Sequence, residues 1–134
     1  MRSRLALIGS VVALAGCSSQ VKVLASYSVV VNVTCANGTG VVVSVDPWVA
    51  SAAANQPIVW SIASSADVDL LTIARSGGGR WPFQAAPPYT VTKQQPVSQM
   101  QRDPAWPTGQ KAHYMISGSC KGMNFNLDPD MIVT

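Results

Sequence analysis

His113 is the only histidine in the 134-residue chain, so ordinary general-base chemistry near neutral pH has one candidate. A serine hydrolase would need it beside an activated hydroxyl, and the Gly-x-Ser-x-Gly turn that presents such a serine is absent. Alternation places His113 with Lys111 on the polar side of a strand, and that is the expected role. Two carboxyl pairs, Asp67 with Asp69 and Asp128 with Asp130, are each spaced by one residue. On a strand each pair shares one side, an arrangement open to glycoside hydrolysis or to calcium. No calcium-loop motif surrounds them, so turn-making and solvent-facing aspartates are expected. Ser76-Gly77-Gly78-Gly79 before Arg80 either cradles an anion with backbone N–H groups or turns a hairpin. Trp81, Tyr89 and Trp106 form a candidate binding surface. Exposed, they would stack on sugars or anchor a protein partner; otherwise they cap the domain and cover its core. Trp48 also lies near a loop, whereas Trp60 reads as core. No metal site, catalytic residue or cofactor is expected, since two cysteines and one distant histidine lack the ligand set zinc needs.

The N-terminus has a separate logic. Arg2 and Arg4 make a basic start, Leu5 to Ala15 is an uncharged apolar run, and Leu14-Ala15-Gly16-Cys17 follows with Ser18 and Ser19. A basic start, a short apolar core and a small-residue cut site describe a secretory signal. The run is too short for a transmembrane helix, which needs about 20 apolar residues. Leu14-Ala15-Gly16-Cys17 resembles the lipobox of bacterial lipoprotein precursors. That resemblance implies cleavage after Gly16 and a diacylglyceryl group on Cys17. A single acyl chain holds a protein only marginally, whereas two hold it stably. Residues 1–16 are then signal peptide, 17–26 lipidated cysteine and short tether, and 27–134 one domain. Ser18 is similar to the residue found after the cysteine in lipoproteins sorted to the outer membrane. The implied place is the bacterial cell envelope, on the outer membrane facing the periplasm where there are two membranes.

With Cys17 assigned to lipid, Cys35 and Cys120 remain. An even remainder in an exported chain reads as one disulfide, the alternative being two separate buried thiols. Arg2 and Arg4 are two of nine basic residues and leave with the signal, which reduces the mature chain to near-neutral balance against six acids. The remaining basic residues are scattered, so no nucleic-acid partner is expected.

The elements that must position these groups are β-strands. All six acidic residues are Asp, and Val, Thr, Ser, Gly and Pro are abundant. Strands are predicted at 27–35 and 41–45 around Asn37-Gly38, both apolar on each face and so expected to be covered on both sides. Further strands are predicted at 57–62, 68–73, 80–83, 111–117 and 123–127, with a last edge strand at 130–134. Residues 48–55 read as a helical turn or loop. Residues 84–110 hold five of the nine prolines and read as a long Pro/Gln-rich surface loop with a short edge strand at 89–92. The expected fold is all-β: a small antiparallel β-sandwich, loosely immunoglobulin-like in its order Cys35, Trp60, Cys120, although Gly118 stands where a tyrosine corner would place Tyr.

For function, the expectation is a membrane-anchored, non-catalytic envelope lipoprotein. It is held to the membrane by its lipid and binds an envelope protein partner through loop aromatics. An alternative is a periplasmic inhibitor of a lysozyme-like hydrolase, since Ser117-Gly118-Ser119-Cys120-Lys121 partly resembles the Ser-Gly-x-x-Tyr motif of such inhibitors. A third is a small glycan-binding protein or cell-wall enzyme.

Overall fold

The computed structural model describes residues 24–37 and 40–134. The signal segment, Cys17 and the tether as far as Val23 lie outside the described residues. Ten strands form two sheets that pack face to face, and no helix occurs among the described residues.

Strand β1 (Tyr27–Ala36) buries Val29, Val31, Val33 and Cys35 on one side. It pairs antiparallel with β2 (Gly40–Asp46), matching Val33 with Val43. The expectation that both runs are covered on each face is corrected. Outward positions carry Asn32, Thr34 and Ser44, and Val42 is 66% exposed. The valine runs thus record β propensity rather than two-sided burial. Beyond β1 come β4 (Ile58–Ile62) and the short β7 (Val97–Gln99), completing the first sheet in the order β2-β1-β4-β7. Ile58, Trp60 and Ile62 all point inward, as period two requires.

The second sheet runs β3 (Val49–Ala52), β10 (Asp130–Val133), β8 (Lys111–Cys120), β5 (Leu70–Arg75) and β6 (Tyr89–Thr92), with β9 (Met123–Leu127) also on β8. Residues 49–52 are strand rather than helical turn. Their small Ala50 and Ala52 pack inside, and their ladder partner is the distant β10, which local propensity cannot reveal. This also explains why two pairings are parallel where antiparallel ones were expected. The chain crosses to the second sheet as β3, parallel to β10, and returns as β4, parallel to β1; a parallel neighbour needs such a crossover.

Strand β5 starts two residues later than predicted. Asp67 is bound to the end of β1, its carboxylate accepting from the Cys35 N–H at 2.8 Å and its own N–H donating to Val33 O at 2.8 Å. Residues 80–83 make only one bridge, Phe83 with Arg102, instead of a strand. Residues 84–110 contain the expected edge strand β6, but also β7 in the other sheet, so this segment laces the two sheets together.

Lys121 and Gly122 have φ of 49° and 80°, the two left-handed residues of a type I′ hairpin joining Cys120 to Met123. Strands β9 and β10 keep one register against β8. Tyr114 N–H donates to Pro129 O at 3.1 Å, and Pro129, lacking an N–H, cannot answer.

Trp60 is fully buried at the centre, with the rings of Phe83, Tyr89 and Tyr114 at 6.1, 6.0 and 5.9 Å. The Cys35–Cys120 disulfide joins β1 to β8 across the two sheets, with Cα atoms 5.9 Å apart. Trp60 pairs with Val29, six residues before Cys35, a separation of about 20 Å along the strand. The tryptophan therefore does not pack on the disulfide as in an immunoglobulin core. At Gly118 an added Cβ would meet Phe125 Cζ at 2.6 Å, so the Phe125 ring occupies the space of a side chain there.

Candidate functional site

Two of the three aromatic residues expected on a binding surface are core. Trp81 is 4% exposed and Tyr89 is 8% exposed. The Trp81 indole N–H donates to the Tyr89 hydroxyl at 2.8 Å, and that hydroxyl donates to Ala85 O. Each polar tip is satisfied internally, so nearness to a loop in sequence does not bring exposure. Burial pushes the Tyr89 phenol above its ordinary pKa. Trp106 is half-buried over a hollow of about 230 Å³ shared with Arg102 and Val133. Arg102, which the sequence did not single out, is the clamp of this region. It donates to Met100 O at 2.9 Å, Ala53 O at 2.9 Å and Gln56 O at 3.0 Å, and lies 5.0 Å from the Phe83 ring centre. Burial lowers its pKa.

The carboxyl pairs do not form shared sites. Asp67 holds the Cys35 N–H, while Asp69 is exposed and 3.8 Å from Lys93. Asp130 is partly buried between Lys111, at 3.4 Å, and His113 Nδ1, while Asp128 is exposed. No group of three potential metal ligands occurs among the described residues. The Ser76–Gly79 segment is a turn tied by Arg75, which donates to Gly79 O at 3.4 Å. The segment 117–120 is strand paired with β9, not a projecting loop.

The site the sequence did not indicate is the outer face of the second sheet. In-register pairing across four strands aligns Thr90 with Thr72, Thr72 with Ser117, and Ser117 with Asn126. Ser119 faces Asn124 in the next row. The side chains of Thr72, Ser117, Asn124 and Asn126 spend no hydrogen bond on the protein among the described residues. They border a hollow of about 430 Å³. Met115 and Asn126 carry it into a second hollow of about 410 Å³ beside Trp48, Ser76 and Asp128. Ser76 in turn leads to a third, about 180 Å³, bordered by Arg80, Lys111 and His113. The three make one shallow trough along β8 from Lys111 to Gly118, about 24 Å at strand rise. Trp48, 48% exposed, supplies its aromatic wall.

At one end Ser76, just past the end of β5, lies beside His113 of β8, which pairs with Asp130 of β10. The Ser76 hydroxyl makes no hydrogen bond among the described residues, and Lys111 shares the carboxylate that holds His113. Alternation with buried Ala112 and Tyr114 makes this face legible as outward; its continuity depends on pairings between distant strands. No family model matches the sequence, and no curated protein or solved structure matches it either.

Proposed function

We propose that this chain is a lipid-anchored, non-catalytic binding module of the bacterial cell envelope that holds its partner along the outer face of the second sheet. The observation that carries the binding site is the continuous trough with exposed Trp48 and unspent hydroxyl and amide side chains. Burial removes Trp81 and Tyr89 as contact residues, whereas Trp106 borders the ionic end of the trough. Anchoring rests on the Leu14-Ala15-Gly16-Cys17 sequence, and a disulfide accords with an exported chain. Ser18 favours the outer membrane, periplasmic side. Leu24 N–H is bound to Asn55 O at 3.3 Å, which places Leu24 at the end of the domain that carries Asn55. The ionic end of the trough shares that end of the domain, because Thr134 beside Ala52 and Lys111 beside Ile132 lie there too.

Mass spectrometry of the protein from native membranes tests the anchor; a diacylated N-terminal Cys17 is expected, and an uncut chain with a free thiol would contradict it. For the site, Ser117→Arg with Asn126→Arg should abolish co-purification of the envelope component, whereas Ser44→Arg on the opposite face should not. Equal retention by both variants would refute it.

A further inference from the structure

The trough's chemistry narrows what it takes, given the binding reading above. Its distal half offers hydroxyls and amides from Thr72, Ser117, Asn124 and Asn126, groups that both donate and accept. Its middle offers an indole face and a thioether, Trp48 and Met115, with the Asp128 carboxylate beside them. Its proximal end gathers Arg80, Lys111 and His113 around Ser76. Asp130 offsets Lys111, but Arg80 is bound only to the carbonyl of Ala105, at 3.4 Å, and has no carboxylate partner among the described residues. That end is therefore net positive.

A sugar ring has an apolar C–H face and a rim of hydroxyls. The face suits an exposed indole, and the rim suits planar amides and hydroxyls with free hydrogen-bonding capacity. A peptide partner, by contrast, is usually gripped by a buried apolar anchor pocket, whereas this trough is shallow and open, with its apolar surface gathered at Trp48, Met115 and Leu127 between two more polar ends. Its length admits several rings in a row, and its basic end complements a negative substituent. We infer that the trough binds a glycan strand bearing carboxylate groups, with a ring on Trp48 and a carboxylate at Arg80 and Lys111. This rests on the outer face of the second sheet being the binding site.

The full-length lipidated protein in detergent micelles is titrated with three polymers, following tryptophan fluorescence and co-sedimentation. They are peptide-stripped peptidoglycan strands, polygalacturonate and neutral dextran. At least one acidic polymer should bind, at least tenfold more tightly than dextran. Binding only to the stripped strands would identify the wall amino sugars as the source, and binding to both would identify the carboxylated glycan in general. Trp48→Ala should weaken binding at least tenfold, and Asn126→Ala should weaken it several-fold, with unchanged melting temperatures. Arg80→Gln with Lys111→Gln should remove the preference over dextran. No binding to either acidic polymer, equal binding to dextran, or full binding by Trp48→Ala would overturn the inference. If those polymers fail but Ser117→Arg with Asn126→Arg still releases a protein partner, the binding site stands and only its ligand class falls. If neither effect is seen, both readings fall.

Discussion

Replacing both Cys35 and Cys120 with alanine removes the covalent tie between the far ends of β1 and β8. Alanine is the cleaner choice, because these positions are 8% and 2% exposed and serine would bury an unsatisfied hydroxyl. The bridge spans 85 residues of sequence. Chain-entropy reasoning for a loop of that length gives about 4–5 kcal/mol, an upper estimate. Domains of this size have only about 5–15 kcal/mol in total. The variant should therefore fold with little margin. The loss should be concentrated at one end, because Trp60 and its ring neighbours, and the Arg102 clamp, lie away from the bridge. At a urea dependence of about 1–3 kcal/mol per molar, the unfolding midpoint should fall by roughly 1.5–4.5 M. Circular dichroism and tryptophan fluorescence should report one coincident transition for the parent chain. Hydrogen exchange should accelerate first in residues 33–36 and 117–120. A midpoint shift below about 0.5 M would refute the claim that this bridge is a principal brace.

Arg102→Met should cost about 2–4 kcal/mol, because three carbonyls lose a charged donor; thermal melts with Arg102→Lys as an intermediate case check this. Gly118→Ala should cost about 1–3 kcal/mol by overpacking against Phe125, and adding Phe125→Leu should recover much of it in a double-mutant cycle. Burial pushes the Tyr114 phenol up to about 12, with the Trp60 indole opposing that rise and the Asp130 carboxylate adding to it. The folded state keeps this proton where the unfolded chain, near pH 10, loses it. Stability from this group is thus complete below pH 10 and is lost as pH climbs towards 12, by about 2–3 kcal/mol at most. Urea melts at pH 8, 10 and 11.5 should show that decline, and Tyr114→Phe should flatten it.

Much of the architecture could be read from residue patterns. Alternation at Ile58, Trp60 and Ile62 and at Ala112, Tyr114 and Ile116 gave the inward faces, and the even cysteine remainder gave the bridge. What failed was anything set by distant pairing. Residues 49–52 become strand only because β10 supplies their ladder, and the crossover they create makes two pairings parallel. Trp81 and Tyr89 looked available because prolines and glutamines surround them, yet they satisfy each other's polar atoms in the core. Trp48 lies beside a loop in sequence, but its neighbours Met115, Asn126 and Asp128 come from elements far along the chain. The trough is a property of strand register, and no local spacing encodes register.

If the outer face of the second sheet engages the partner, a crosslinker placed in the trough must capture it and crosslinkers elsewhere must not. Photo-crosslinking residues placed at Asn126, at Ser44 and at Gln95, in cells making the full-length chain, test this most directly. These sites sample the trough, the outer face of the first sheet and the 84–110 segment. A crosslinked adduct is expected from Asn126 alone, a ladder or sedimenting fraction if it is a glycan strand and a single band if it is a protein, and it should be lost when Trp48→Ala is added. Adducts from Gln95 or Ser44 with none from Asn126 would contradict engagement at this face.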